Sequence, residues 1–190
     1  MKARIALIGP HGAGKSSLAK ALVANYSSDE LRYELERIVT SRKPRPGEDD
    51  SEYVFVTQEA FDAARDKYLL VQANRGVRWN YALAADKPVA PDTVRVYVVT
   101  PETAVELRAL FEDDVLVVAV LPPSLAVLRQ RLSGRDTTIE ENELSLRLGL
   151  GERDVEQSQQ IADAVFYNNK DLERSAADLN QLIHSLISKE

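Results

Sequence analysis

The chain has no cysteine, one tryptophan and one methionine in 190 residues. Without cysteine it forms neither disulfides nor thiolate-bound metal sites, which is compatible with the cytoplasm. Histidine is scarce too, at two residues. No Cys/His metal cluster and no nucleophile–histidine–acid arrangement can be read from the spacing. No apolar run has the length of a membrane span, and the start carries no signal-peptide pattern. The expectation is therefore a cytoplasmic protein without membrane contact. The formal charge is −6 and the basic residues are scattered or locally clustered, which argues against an extended nucleic-acid surface. Internal repeats and low-complexity linkers are absent as well. A chain of this length suits one domain with a sizeable core and small inserted lobes.

What is present begins at Gly9-Pro10-His11-Gly12-Ala13-Gly14-Lys15-Ser16, directly behind the apolar run Ile5-Ala6-Leu7-Ile8. The stretch fits G-x-x-x-x-G-K-[ST], a phosphate loop. Glycines let successive backbone N–H groups turn inward toward phosphate oxygens. Lys15 adds a mobile cation for the terminal phosphates, and the Ser16 hydroxyl suits Mg²⁺. Ser17 to Val23 reads as the following helix, whose N-terminal dipole also faces the anion. Four cues agree: the strand, the spacing, the Lys-Ser pair and the helix. A nucleoside triphosphate such as ATP is the expected ligand.

Further along, apolar strands alternate with helices. Lys2–Ile8, Val94–Val99, Val115–Val120 and Ala164–Tyr167 read as strands, the first as a buried parallel one. Helices are expected to about Tyr26, over Pro101–Phe111, over Ser124–Leu132 with an end near Ser133-Gly134, from about Thr138 to Gln160, and over Leu172–Ser188. Leu31–Arg37 is open between a short helix and the run-in to a strand. Ile38-Val39-Thr40, Tyr53–Val56, Leu69–Val71 and Arg78–Tyr81 read as short strands, and Gln58–Lys67 as a helix capped by Thr57. The pattern predicts an α/β fold: a parallel sheet flanked by helices, with an inserted lobe of short strands near Ile38–Leu83.

Five stretches resemble the guanylate kinase family in family order. They are Gly9–Ser17, Thr40–Glu48, Leu121–Ser124, Arg131–Arg135, and Asn169 with Asp171–Arg174. The resemblance implies a P-loop core (about 1–35, 84–131 and 158–190), an acceptor-binding lobe (about 36–83) and a helical lid (about 132–157). It implies ATP as donor, Mg²⁺ as cofactor, and a nucleoside monophosphate as acceptor. Gly9, Pro10, His11, Gly12, Ala13, Gly14, Lys15, Ser16, Ser17 and Asn169 would bind ATP, with Ser16 toward the metal. Arg42, Arg45, Glu48, Tyr53, Gln72 and Tyr81 would bind the acceptor, because guanidinium forks suit a phosphate better than lysines. Lys15, Arg131, Arg135 and Arg147 would serve the transfer itself, with Arg153 as the fallback for Arg147. For these lid arginines the alternative is a solvated helix face paired with Glu140, Glu141, Glu143 or Glu152. The partners implied are ATP and a phosphorylated small molecule, in a monomer or homodimer.

The departures gather in the base-reading half of the acceptor site. Ile38 stands where the family has serine, Gln72 where it has glutamate, and Ala82-Leu83 where it has glycine then Ser or Thr. Val98-Val99-Thr100 replaces a stretch that carries aspartates, with Glu102 or Asp92 as substitutes to consider. The leading expectation is GMP-type phosphoryl transfer. A same-fold kinase of a non-guanine acceptor such as a ribose bisphosphate is the alternative, and a catalytically weak nucleotide-binding or interaction module is the third reading.

Overall fold

A computed structural model describes residues 2–28, 30–44, 50–72, 80–135 and 141–187. Five strands form the central sheet: β1 (Arg4–Ile8), β2 (Arg32–Leu35), β7 (Thr93–Val98), β8 (Val115–Leu121) and β9 (Ala164–Tyr167). They lie in the order β2-β7-β1-β8-β9, and every neighbouring pair is parallel. The open segment at Leu31–Arg37 thus resolves as an edge strand. Its Tyr33 is buried in the core and donates to Asn180 at 2.8 Å.

Parallel strands need crossovers, and the helices supply them on both faces. They are α1 (Lys15–Asn25), α3 (Pro101–Phe111), α4 (Leu125–Arg135), α5 (Glu141–Ile161) and α6 (Leu172–Ile187). Strand alternation sorts the core into two layers. Ile5 and Leu7, with Val94, Val96, Val98, Leu116, Val118 and Val120, pack under α1 and α6. Ala6 and Ile8, with Tyr97, Val99, Val115, Val117, Ala119 and Leu121, pack under α3 and a second sheet. Each wholly buried Leu, Ile or Val contributes about 1.5–3 kcal/mol relative to its exposed state. α6 presents Ser175, Ala176, Leu179, Ile183 and Ile187 as one buried stripe at helical spacing. Thr100 caps α3 through the Thr103 N–H, and Pro101 occupies the first turn, where its missing N–H costs nothing.

The second sheet is mixed, in the order β4-β3-β6-β5: β3 (Ile38–Thr40), β4 (Tyr53–Phe55), β5 (Leu70–Gln72) and β6 (Tyr81–Leu83). One face, Val39, Val54, Val71 and Ala82, closes on α2 (Gln58–Ala63) through Phe61 and Tyr68. The other carries Ile38, Tyr53, Leu70, Tyr81 and Leu83 toward the central sheet. This face packs the second sheet against the central one.

Several boundaries differ from the sequence expectation. The last short strand is Tyr81–Leu83 rather than Arg78–Tyr81, since Ala82 and Leu83 are the buried residues that pair with both β3 and β5; Arg78 and Trp79 lie outside the described residues. Thr57 does cap α2, accepting from the Ala60 N–H at 3.2 Å. The helix stops at Ala63, and Arg65–Lys67 forms a separate 3₁₀ turn. α4 runs through Gly134 to Arg135. A glycine inside a helix costs only about 1 kcal/mol against alanine.

Candidate active site

Gly9 to Ser16 joins the end of β1 to the start of α1. Gly9 has φ +131° and lies against the Val120 carbonyl of β8, so any side chain there would collide with backbone. Gly14, at φ +95°, is packed against the Asn168 side-chain amide. These two positions exclude a Cβ by crowding as well as by conformation. Lys15 Nζ donates to the carbonyls of Gly9 at 2.7 Å and Pro10 at 2.9 Å. The ammonium is thereby held over the loop's own rim, while His11 and Ser17 are exposed to solvent.

Two side chains brace the loop from behind. Arg131 on α4 donates to the Ala13 carbonyl at 3.4 Å and the Asn168 carbonyl at 3.0 Å. Asn168, buried at the end of β9, donates from Nδ2 to the same Ala13 carbonyl at 2.8 Å. Asn169, the residue expected beside ATP, is exposed, and its N–H donates to Tyr167 O at 3.0 Å. Asn168 was not singled out from the sequence; its contact joins positions 155 apart, and no spacing rule reaches that far.

On the second sheet, Arg42 is buried just beyond β3. Its guanidinium carbon lies 4.6 Å from the Tyr53 ring centroid and 5.2 Å from that of Phe55, within cation–π range. Burial pushes the Tyr53 phenol up to about 12, Glu52 adds to the rise, and Arg42 works against it. Tyr53 is therefore a hydrogen-bond donor at neutral pH. The turn at Arg42 is stapled to the segment before β6: Thr40 Oγ1 donates to the Asn80 carbonyl at 2.9 Å, and Asn80 N–H donates to Ser41 Oγ at 3.2 Å. Tyr81 stands in register with Thr40 on one side and Gln72 on the other. Arg45 and Glu48 lie outside the described residues, as do the side chains of Gln72 and Arg135. Arg147 sits half-buried on α5, and Arg153 lines a surface cleft with Glu102, Leu150 and Gln157.

A hydrogen bond joins the two halves. Ser16 Oγ donates to the Glu52 carboxylate, and the Glu52 carbonyl accepts from Ile38 N–H at 2.9 Å. Glu52 escaped the sequence reading because nothing in its spacing marks it.

A hydroxyl and a carboxylate are hard oxygen donors, the kind Mg²⁺ takes together with phosphates and water. Of the two substitutes considered for the missing aspartates, Asp92 is ruled out by position. It precedes β7, at the end of the sheet away from the loop, and pairs with Arg32 at 3.6 Å. Glu102 is on the first turn of α3, at the loop end.

The family model described as guanylate kinase matches residues 1–186. The chain belongs to the guanylate kinase family. The human guanylate kinase is 32% identical over 196 residues, covering 97% of this chain and 94% of that protein. The guanylate kinase of Haemophilus influenzae is 30% identical, covering 94% and 86%. The crystal structure of guanylate kinase from Anaplasma phagocytophilum superposes with a TM-score of 0.72 at 20% identity, covering 95% of this chain and 84% of that one; this likeness is one of fold. This family member is a phosphotransferase. No helix among its described residues is long and apolar enough to cross a membrane.

Within the family, the departures have a structural outcome here. Ile38 and Leu83 stand directly opposite each other in the β3–β6 pair, and both are buried in the layer between the sheets. Neither offers a polar atom to a base.

Proposed function

We propose that this guanylate kinase family member transfers the γ-phosphoryl group of ATP to a nucleoside monophosphate, GMP by family, giving ADP and the nucleoside diphosphate. The observation that carries the reading is the Ser16–Glu52 hydrogen bond, which joins the phosphate loop to the strand bearing Tyr53. Donor and acceptor elements are thus adjacent, as in-line transfer requires.

In this reading an acceptor phosphate oxygen forms a bond to the γ-phosphorus while the bond to the β–γ bridging oxygen breaks. Lys15 leaves the carbonyls of Gly9 and Pro10 for the terminal phosphates. Arg42, oriented by the rings of Tyr53 and Phe55, grips the acceptor phosphate, and Tyr53 and Tyr81 donate to it. By family resemblance Arg45 and Glu48 complete that grip, and Arg135 and Arg147 close from a lid over 132–157. Arg131 has a second task here: its bond to Ala13 O holds the loop's curvature. Mg²⁺, when bound beside Ser16, neutralises charge on the phosphate oxygens.

Purified protein incubated with ATP, Mg²⁺ and GMP should yield ADP and GDP by mass spectrometry. Lys15→Ala should lower the rate by at least about a hundredfold, the scale seen when one preorganised charge donor is removed. Arg42→Lys should raise the KM for the acceptor while leaving ATP affinity unchanged, because lysine cannot reproduce a planar fork. No product above the Lys15→Ala background, across GMP, dGMP, AMP, CMP and UMP, would end this reading.

A further inference from the structure

We infer that Glu52 supplies the protein carboxylate of the Mg²⁺ site, in the place left by the acids absent from the end of β7. The inference rests on the functional reading above and extends it to a residue that reading leaves without a role.

A phosphate loop holds its cation through a Ser or Thr hydroxyl and an acid at the end of a neighbouring strand. Here β7 ends in Val98-Val99-Thr100, and β8 is followed by Pro122-Pro123. Neither strand end carries a carboxylate. Among the described residues there is also no group of three or more His, Asp or Glu suited to a metal. Mg²⁺ bound with a nucleotide does not need such a cage; one or two carboxylates, phosphates and retained waters suffice.

Glu52 meets that requirement from the other sheet. Its carboxylate accepts from the hydroxyl of Ser16, the loop residue placed for the cation. Its backbone is fixed by the Ile38 N–H, and Tyr53 beside it is anchored against Arg42. Electrostatics then decides the role. A carboxylate beside a triphosphate repels it, and the repulsion becomes attraction only when a divalent cation lies between them. A residue so placed makes nucleotide binding depend on Mg²⁺.

The test separates the metal from the nucleotide. ATP and ADP affinities are measured in EDTA and in excess Mg²⁺, and Mn²⁺ binding to the protein–ADP complex is followed by EPR of free Mn²⁺. Glu52→Gln keeps size and hydrogen bonding but removes the charge. It should weaken Mn²⁺ binding by about 10–100-fold, the range for altered metal-site partners. Its nucleotide affinity in EDTA should equal or exceed that of the wild type, which also reports that the variant is folded. Glu52→Asp should recover part of the Mn²⁺ affinity. Wild-type Mn²⁺ affinity in Glu52→Gln would overturn the inference, as would equal tightening of nucleotide with and without Mg²⁺. Absence of Lys15-dependent ATP binding in the wild type would instead defeat the functional reading.

Discussion

Asp86 bridges Arg4 and Arg95, giving one carboxylate oxygen to each guanidinium, at 2.9 Å and 3.3 Å. The two arginines face each other in the β1–β7 register, on the layer shared with the second sheet. Asp86 belongs to the segment leaving β6, and Arg95 also pairs with Glu34 of β2 at 3.3 Å and with Glu36, on the segment entering β3, at 3.4 Å. Both connections between the sheets are therefore fastened to one buried arginine. The Arg4 guanidinium also lies 3.9 Å from the Phe111 ring centroid.

Asp86→Asn should destabilise the fold by about 2–4 kcal/mol, because it leaves two largely buried cations short of a partner. Denaturant unfolding checks this. A loss below about 0.5 kcal/mol would mean that Asp114, which also pairs with Arg4, and Glu34 and Glu36 on Arg95 suffice.

Glu36 gives the same network a pH signature. Burial raises its carboxyl above the ordinary value of 4.5, with Arg95 opposing the rise and Glu34 adding to it. The folded state thus holds the proton more tightly than the unfolded one. Stability associated with this group is complete below the unfolded pKa and is lost as pH rises through the folded pKa. Glu36→Gln imitates the protonated form. Its stability relative to the wild type should increase from about pH 4 upward and then level off, in urea midpoints taken across that window. A difference that is flat with pH would overturn the assignment.

Acceptor discrimination follows from Ile38 and Leu83. A site built to hydrogen-bond a base rejects the wrong base by about 10⁴–10⁵, whereas an apolar pocket manages about 10–200-fold. With both positions buried in the core, the ratio of kcat/KM for GMP over AMP should fall in the lower range. Steady-state kinetics with both acceptors measures it, and a ratio above about 10⁴ would place a polar base reader elsewhere.

Much of this could be read from the chain. β1, β7 and β8 are buried parallel strands, and such strands appear in sequence as nearly unbroken apolar runs. The phosphate loop is local, so its spacing carries its geometry. The second sheet was legible only in part, since strands of three residues leave too little alternation to fix a boundary; Tyr81–Leu83 was misplaced for that reason. Glu52 and Asn168 were invisible on other grounds. Their partners Ser16 and Ala13 are 36 and 155 residues away, and only the assembled sheets bring them together. Arg4 and Arg95 interrupt the apolar runs of β1 and β7, and each is at most 9% exposed.

Two threonines and a serine allow a contrast within one helix pair. Ser158 on α5 is fully buried, and its Oγ has no hydrogen-bond partner among the described residues. Thr103 on α3 is 2% exposed, but its hydroxyl lies 3.2 Å from that of Thr100. A buried hydroxyl without a partner carries its desolvation penalty uncompensated, while a paired one returns about 1 kcal/mol. Ser158→Ala should therefore leave stability unchanged or raise it by about 1 kcal/mol, and Thr103→Ala should lower it by about 1–2 kcal/mol. Thermal and denaturant unfolding of the two variants side by side reads the difference. If Ser158→Ala loses more than Thr103→Ala, the Ser158 hydroxyl has a buried partner such as an internal water, and the pairing argument for α5 is wrong.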